Sequence, residues 1–220
     1  MINNILYFSQ LVLMVVFGTA QLFELAESTQ GTSVTWILLW QGFVVVNLLL
    51  AVQANREKPN RENSRLVFTY IGWTLVGLSW FAVMLVKGTL SWNQYDTFNI
   101  SLAIVCTAAT FVQARRKGWH MGAMPTIRAM LGDPWVRACL ALAYKSVPQI
   151  TMAVQLFVGV PVLVAGLTVL IGHVTVLLRF AQAFLAIRKV GFNRNLVAIL
   201  ISEGGNELSW LAFTLVWLYT

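Results

Sequence analysis

Seven mostly apolar stretches, parted by short polar or charged segments, limit what this chain can become. They cover residues 5–23, 34–54, 66–86, 98–113, 136–157, 162–187 and 196–218, the fourth being the shortest. A helix that crosses the hydrocarbon core of a bilayer needs about 20 such residues. Of the 220 residues, 58% are hydrophobic and only 10% are charged. A soluble domain carries roughly 25% charged residues, and a chain this short cannot hide so much apolar surface in a single water-soluble core. The expected fold is therefore an all-α membrane protein with seven transmembrane helices, and the lipid bilayer is its first partner.

The formal charge of +7 follows the same logic. The second polar segment carries Arg56, Lys58, Arg61 and Arg65, and the fourth carries Arg115, Arg116, Lys117, Arg128 and, at its edge, Arg137. The sixth carries Arg188, Lys189 and Arg194, so three alternate segments hold twelve of the fifteen Lys and Arg residues. Seven spans put those three segments on one side. The positive-inside rule then places them and the N-terminus in the cytoplasm, with the C-terminus outside, in the cell (inner) membrane. Topology accounts for the basic residues, and no nucleic-acid partner is expected. Residues 1–10 lack a basic leader region, so they read as the start of a first span and not as a cleaved signal.

The chain also repeats itself. Leu78-Ser79-Trp80-Phe81-Ala82-Val83-Met84-Leu85-Val86 reads onto Leu208-Ser209-Trp210-Leu211-Ala212-Phe213-Thr214-Leu215-Val216, 130 residues later. At that offset Leu66-Val67 meets Leu196-Val197 and Gly42 meets Gly172; earlier, at an offset of 128, Ala20-Gln21 meets Pro148-Gln149 and Gly31 meets Gly159. A two-residue insertion after Gly159 reconciles the two offsets. Each repeat spans three helices. Three is odd, so an intervening fourth helix restores a common orientation, giving a 3+1+3 arrangement of two parallel repeats. The units are 1–90 (spans one to three), 91–135 (the linker span and a basic loop with Gly118, Gly122, Pro125, Gly132 and Pro134) and 136–220 (spans five to seven). Transporters often bind solute near the midplane between such halves.

Two segments carry a family likeness. Ala20-Gln21 followed by Glu27-Ser28-Thr29-Gln30-Gly31-Thr32-Ser33 resembles the PQ-loop motif, and Lys145-Ser146-Val147-Pro148-Gln149 followed by Gly159 resembles its second copy. The chain thus resembles the PQ-loop superfamily of seven-helix membrane proteins, which includes SWEET sugar transporters, cystinosin-like exporters and the KDEL receptor. The likeness covers both repeats and leaves out the fourth helix. It implies that the third helix of each unit packs between the first and second, with hinges at Pro148 and Gln21. Ala20 stands where the first motif has proline, and Pro161 where the second loop has serine, so the first half is expected to bend less. SWEET-like members generally place the N-terminus outside, opposite to the charge bias here. Their pocket uses an Asn in the last helix of each repeat. Asn206 fits, but Val76 holds the partner position, which argues against a symmetric sugar pocket.

The physics of the motif stands apart from the likeness. Proline within a helix removes one hydrogen bond and crowds the preceding turn, which allows a kink at Pro148. The Gln149 amide is then expected to bond the freed backbone groups.

Polar groups at membrane depth cost roughly 2.5–3.5 kcal/mol each on insertion scales, and they mark functional sites by default. The first half offers Gln10, Gln21, Gln41 and Asn47, with Trp36, Trp40, Trp73 and Trp80; of these, Trp40 and Trp73 lie deep enough to line a pathway or stack on a ring. In the second half Lys145 and Gln149 are four apart and share a face. His173 is mid-helix, and Glu203 and Glu207 are four apart with Asn206 between them and Gly204-Gly205 beside them. At 1.5 Å per residue, Glu207 lies roughly 16 Å deep. If the last span sits between the fifth and sixth, the two glutamates face Lys145 on one side and His173 or Arg179 on the other, with Lys145–Glu207 as a structural pair in the plainest reading. Arg179 lies within two turns of the cytoplasmic edge and is expected to snorkel. A carboxylate in such a setting can take up and release a proton as access alternates.

Cys106 and Cys139 have no disulfide or metal spacing and read as small core residues. Asn99-Ile100-Ser101 fits a glycosylation sequon but abuts a span and carries no weight. No nucleophile–base pair, metal cluster or phosphate-cradling glycine loop is apparent, and His120 and His173 are the two histidines. Neither enzyme activity nor a metal or other cofactor is therefore expected. The expected function is alternating-access transport of a small polar solute such as a sugar, amino acid or vitamin-like metabolite, with protons as a coupling partner. The alternative is a PQ-loop-type receptor or interaction protein that binds a ligand without moving it. Homo-oligomerisation is compatible with either.

Overall fold

The computed structural model describes residues 2–88, 90, 92–116, 124 and 126–220. Lys117, Gly118, His120, Gly122 and Pro125, named above, lie outside the described residues. Among those described there is no strand. The helices are α1 (Ile2–Glu27), α2 (Val34–Glu57), α3 (Arg61–Val86), α4 (Gln94–Arg116), α5 (Ile127–Gly132), α6 (Pro134–Ala141), α7 (Val147–Phe157), α8 (Gly166–Val190) and α9 (Arg194–Tyr219), with a π-helical turn over Leu142–Ser146 joining α6 to α7. Five of them, α1 to α4 and α8, are each long and apolar enough to cross a bilayer. Large apolar side chains such as Phe8, Val12, Phe23 and Leu75, and Leu208 and Leu215 of α9, are exposed along the outer faces of the helices. Long helices that stay apolar on the outside belong in lipid, and the chain is an all-α membrane protein.

Short polar side chains set where the helices begin. Ser33 accepts from the Trp36 N–H to cap α2, Asn60 from Asn63 to cap α3, and Asn193 from Leu196 to cap α9. Asp133 accepts from the N–H groups of Trp135 and Val136 to cap α6, with Pro134 at its first turn. Each satisfies donors that a helix leaves orphaned at its N-terminus.

Packing relations are alike in the two halves. In the first, α3 packs against both α1 and α2; in the second, α9 packs against α6 and α7 on one side and α8 on the other. The halves meet through α1 on α8, and through α2 on the π turn and α7, while α4 lies against α2, α6 and α7. The loops between the first two helices of each half also correspond. Gly31 and Gly159, matched in the sequence repeat, have φ of 82° and 79°, a region that glycine enters without steric cost. A Cβ on Gly31 would stand 2.9 Å from the Pro161 carbonyl oxygen, so the two loops touch where that side chain is missing.

That contact explains one difference from the sequence. The sixth stretch, expected from residue 162, becomes helical only at Gly166. Before it, the backbone bonds elsewhere: Leu163 N–H donates to Gly31 O at 3.0 Å. The fully buried Gln21 accepts from Ala165 N–H at 3.0 Å and donates to Leu163 O at 3.4 Å. Gln21, expected as a hinge, is placed as a clamp between α1 and the opposite half. A second difference lies at Pro148. The Val147 N–H reaches back five residues to Leu142 O, giving the π turn just before the proline, a common site of helix distortion. The freed backbone is not taken up by Gln149 as expected. The Gln149 carboxamide oxygen accepts instead from the Ser209 hydroxyl of α9.

α4 extends well past the expected 98–113, and its start is fixed by Asp96, to which the sequence reading gave no role. This fully buried carboxylate accepts from Thr35 N–H (3.0 Å), Thr35 Oγ1 (2.7 Å), Ser33 Oγ (3.2 Å) and Asn93 N–H (3.1 Å). Asn99 is also fully buried and donates to Thr35 Oγ1, so the apparent sequon is closed to modification. Replacing Gln21 by Leu leaves the buried Ala165 N–H without its acceptor, at a cost of about 1–3 kcal/mol. Thermal unfolding in detergent is expected to show that loss, with Gln10→Leu, on the partly buried Gln10–Gln182 contact, affected far less.

Candidate functional site

A cavity of about 360 Å³ lies between the two halves, within the usual range for small-molecule sites. Helical periodicity selects its walls. On α6, the π turn and α7 the lining residues include Arg137, Ala141, Lys145 and Gln149, spaced by four; on α9 they include Asn195, Ile199, Ser202, Glu203, Asn206 and Trp210. Spacings of three and four keep side chains on one helical face. α2 contributes Trp36, Trp40, Phe43 and Asn47, α3 Tyr70 and Trp73, and α8 Gly172, Thr175 and Arg179.

The two ends of the cavity differ. Its lining reaches Ala54, Leu66, Pro134 and Asn195, at the helix ends beside the basic segments, where Leu66 and Asn195 are exposed. The other end is plugged by aromatic rings. Trp40 stacks on Trp80 with centroids 5.3 Å apart, and Phe17 meets Trp73 edge-on at 5.4 Å. Trp36 meets Trp210 edge-on at 6.3 Å, across the junction of the halves. Trp80 is fully buried, and its indole N–H donates to Gly18 O at 3.0 Å. Edge-on and offset arrangements are those that ring quadrupoles favour. Trp40 and Trp73 thus line the cavity and belong to its plug as well.

Charge gathers at the middle. Glu203 Oε1 lies 3.0 Å from Arg179 Nη1 and 3.6 Å from Lys145 Nζ, so one carboxylate oxygen ties α9 to α8 and to the π turn. Two sequence expectations need correction here. Lys145 pairs with Glu203, one helical turn from Glu207, because α9 presents Glu203 to the cavity. Arg179 does not snorkel: the Glu203 carboxylate draws it inward, and only 32% of its side chain is exposed. Lys145 Nζ also stands 5.7 Å from the centre of the Phe43 ring, in cation–π range.

Glu207 and His173 form a separate pair outside the lining. His173 Nδ1 is 2.7 Å from Glu207 Oε1 and Nε2 is 2.9 Å from Thr214 Oγ1. Asn206 lines the cavity and is buried, and neither its Oδ1 nor Glu203 Oε2 has a partner among the described residues. Of the sequence-derived candidates, Glu203, Asn206, Lys145, Gln149, Trp40 and Trp73 converge on one cavity. His173 and Glu207 sit at the α8–α9 contact, and Pro148 behind the wall. Arg137 and Tyr70 were missed as site residues, whereas Asn47, among the polar groups of the first half, does line the cavity. The eight-residue spacing from Arg137 to Lys145, two steps of four through Ala141, was a signal available for the first. Among the described residues no cluster of His, Cys, Asp or Glu is placed to hold a metal.

No family model, curated protein or solved structure matches this chain. The site therefore rests on its own chemistry. Removing one member of a buried ion pair strands its partners, and costs about 3–5 kcal/mol where water is excluded. Glu203→Leu is accordingly expected to lose about 3 kcal/mol, read as lowered thermal stability of the detergent-solubilised protein. Adding Lys145→Met should recover part of it, and Glu57→Leu, at the exposed contact with Arg128, should cost under about 1 kcal/mol.

Proposed function

We propose that the chain is a carrier for a small polar solute, working by alternating access between two three-helix units in a 3+1+3, seven-span arrangement. The observation that carries this reading is the cavity itself. It is a water-accessible chamber with charged and amide groups at mid-depth, set where the two units meet, open at one end and plugged with aromatic rings at the other. A chamber closed at one end is half of an alternating-access cycle. The like packing of α3 and α9 within their units and the paired glycines Gly31 and Gly159 support a PQ-loop-like repeat. α6, the π turn and α7 taken together, and α9, supply the two spans beyond the five that qualify by length and hydropathy alone. With the basic segments in the cytoplasm of a cell whose inner membrane holds the protein, the N-terminus lies inside, the C-terminus outside, and the chamber faces the cytoplasm.

Glu203 provides the link to protons. A proton on this carboxylate removes the charge that holds Arg179 and Lys145, which loosens α9 from both neighbours at once. Loss of those ties lets the units rock, and opening of the Trp36–Trp210 contact exposes the chamber to the other side. His173 and Glu207, hydrogen-bonded at 2.7 Å, hold α8 to α9 by a second polar contact outside the chamber.

Uptake into proteoliposomes tests the reading. Flux is expected to saturate with solute and to rise with an imposed pH gradient, and Glu203→Gln is expected to make it at least tenfold slower and insensitive to the gradient. Saturable binding with no flux under any gradient would instead mark a receptor that holds its ligand without releasing it across the membrane.

A further inference from the structure

The charge inventory of the chamber says what kind of solute it takes. Its charged lining residues, among those described, are Arg137, Lys145, Arg179 and Glu203, three cations against one anion. Lys145 and Arg179 both converge on the single oxygen Glu203 Oε1, which neutralises one unit of charge between them. Arg137 adds another at the mouth. Its Nε is buried without a partner among the described residues, and its guanidinium reaches only the neutral Asn195 side chain, at 3.5 Å. The nearby acid Asp133 is engaged by Arg194 at 2.9 Å and does not line the chamber. Surplus positive charge at this depth is costly unless an anion joins it.

Two further features define the rest of the solute. Trp40, Trp73, Phe43 and Tyr70 line the chamber around the charged centre, an aromatic wall that suits a flat unsaturated body. Glu203 Oε2 and Asn206 Oδ1 are acceptors without donors among the described residues, and a buried acceptor left unmet is costly. A hydroxyl or amino group on the solute would meet them. We infer that the chamber binds an organic anion: a flat ring bearing one carboxylate or phosphate, held by Lys145, Arg179 and Arg137, with a hydrogen-bond donor directed at Glu203 and Asn206. The inference rests on the chamber being a solute site and adds its charge class.

Glu203 then has a second role, because its carboxylate competes with the solute for the same two cations. A proton on Glu203 frees Arg179 and Lys145 for the incoming anion, which makes anion entry and proton uptake mutually supportive.

The test is calorimetric titration of the full chain in lipid nanodiscs with four matched probes. They are 4-hydroxybenzoate (carboxylate anion), phenyl phosphate (phosphate anion), 4-hydroxybenzamide (neutral) and tyramine (cation). At least one anion is expected to bind tenfold or more tightly than the amide, and the two anions distinguish carboxylate from phosphate. Arg179→Gln is expected to weaken the favoured anion at least tenfold. Arg137→Gln, whose side chain makes no ion pair among the described residues, is expected to weaken it severalfold and serves if Arg179→Gln does not fold. Glu203→Gln is expected to tighten the anion severalfold, a change that a merely structural role for Glu203 would not produce. Equal or tighter binding of the amide or tyramine, weaker anion binding in Glu203→Gln, or no binding of any probe at millimolar concentration overturns the inference. An anion that binds but does not cross in proteoliposomes removes the carrier reading and leaves the charge class standing. Flux of a neutral or cationic solute alone does the reverse.

Discussion

One carboxylate oxygen holds the centre of this molecule together. Glu203 Oε1 is the point at which α9 meets both α8, through Arg179, and the π turn, through Lys145. Desolvating these groups would be prohibitive one at a time, and the chain solves the problem by bringing them together beside a polar chamber. The consequence is that the packing of α9 on α8 and on the π turn depends on the charge state of a single residue. Among the described residues, α1 to α3 have no such centre. Trp73 and Trp80 of α3 pack on Phe17 and Trp40 instead, and Gln41 donates to Thr74 O at 3.1 Å. One half is set by electrostatics and the other by ring packing, although the sequence repeat relates them.

That asymmetry matches the two ends of the chamber. The plug is built mainly from rings of α1, α2 and α3. The ion contacts come from the second unit, where the π turn before Pro148 breaks the regular helical ladder. Distorted helices are tolerated in membranes where freed backbone groups line a cavity or find neighbours. The irregular segment ahead of Gly166 is held in that way, by Gln21 and Gly31 of the opposite half. These bonds tie the halves together at the plugged end.

Much of this was legible in the sequence, for reasons that can be traced to residues. Apolar length and polar interruptions marked the helices, since hydrocarbon demands them, and Gly31 and Gly159, matched in the sequence, share a positive φ. The four-residue spacing of Lys145 with Gln149, and the cluster from Glu203 to Glu207, marked the chamber wall. What was not legible was partner choice. Glu203 and Glu207 lie one turn apart, and only the rotation of α9 against its neighbours decides which meets Lys145. Arg179 was misread because distance from the helix end predicts snorkelling, whereas a carboxylate across the helix contact outweighs it. Asp96 and Asn99 were passed over because a buried N-terminal acid looks in sequence like an ordinary loop residue; its donors, Ser33 and Thr35, lie some sixty residues away.

A carrier of this design requires α9 to present its Asn195–Ile199–Ser202 face to water and its Leu208 face to lipid. Single cysteines at Ser202 and Leu208, in a Cys106→Ser, Cys139→Ser background, can be probed in intact cells and in inverted vesicles with a membrane-impermeant thiol reagent. Rapid labelling of Ser202→Cys is expected from the cytoplasmic face only, and none of Leu208→Cys from either face. Labelling at position 208 with protection at 202, or labelling at 202 from outside alone, would contradict the carrier reading.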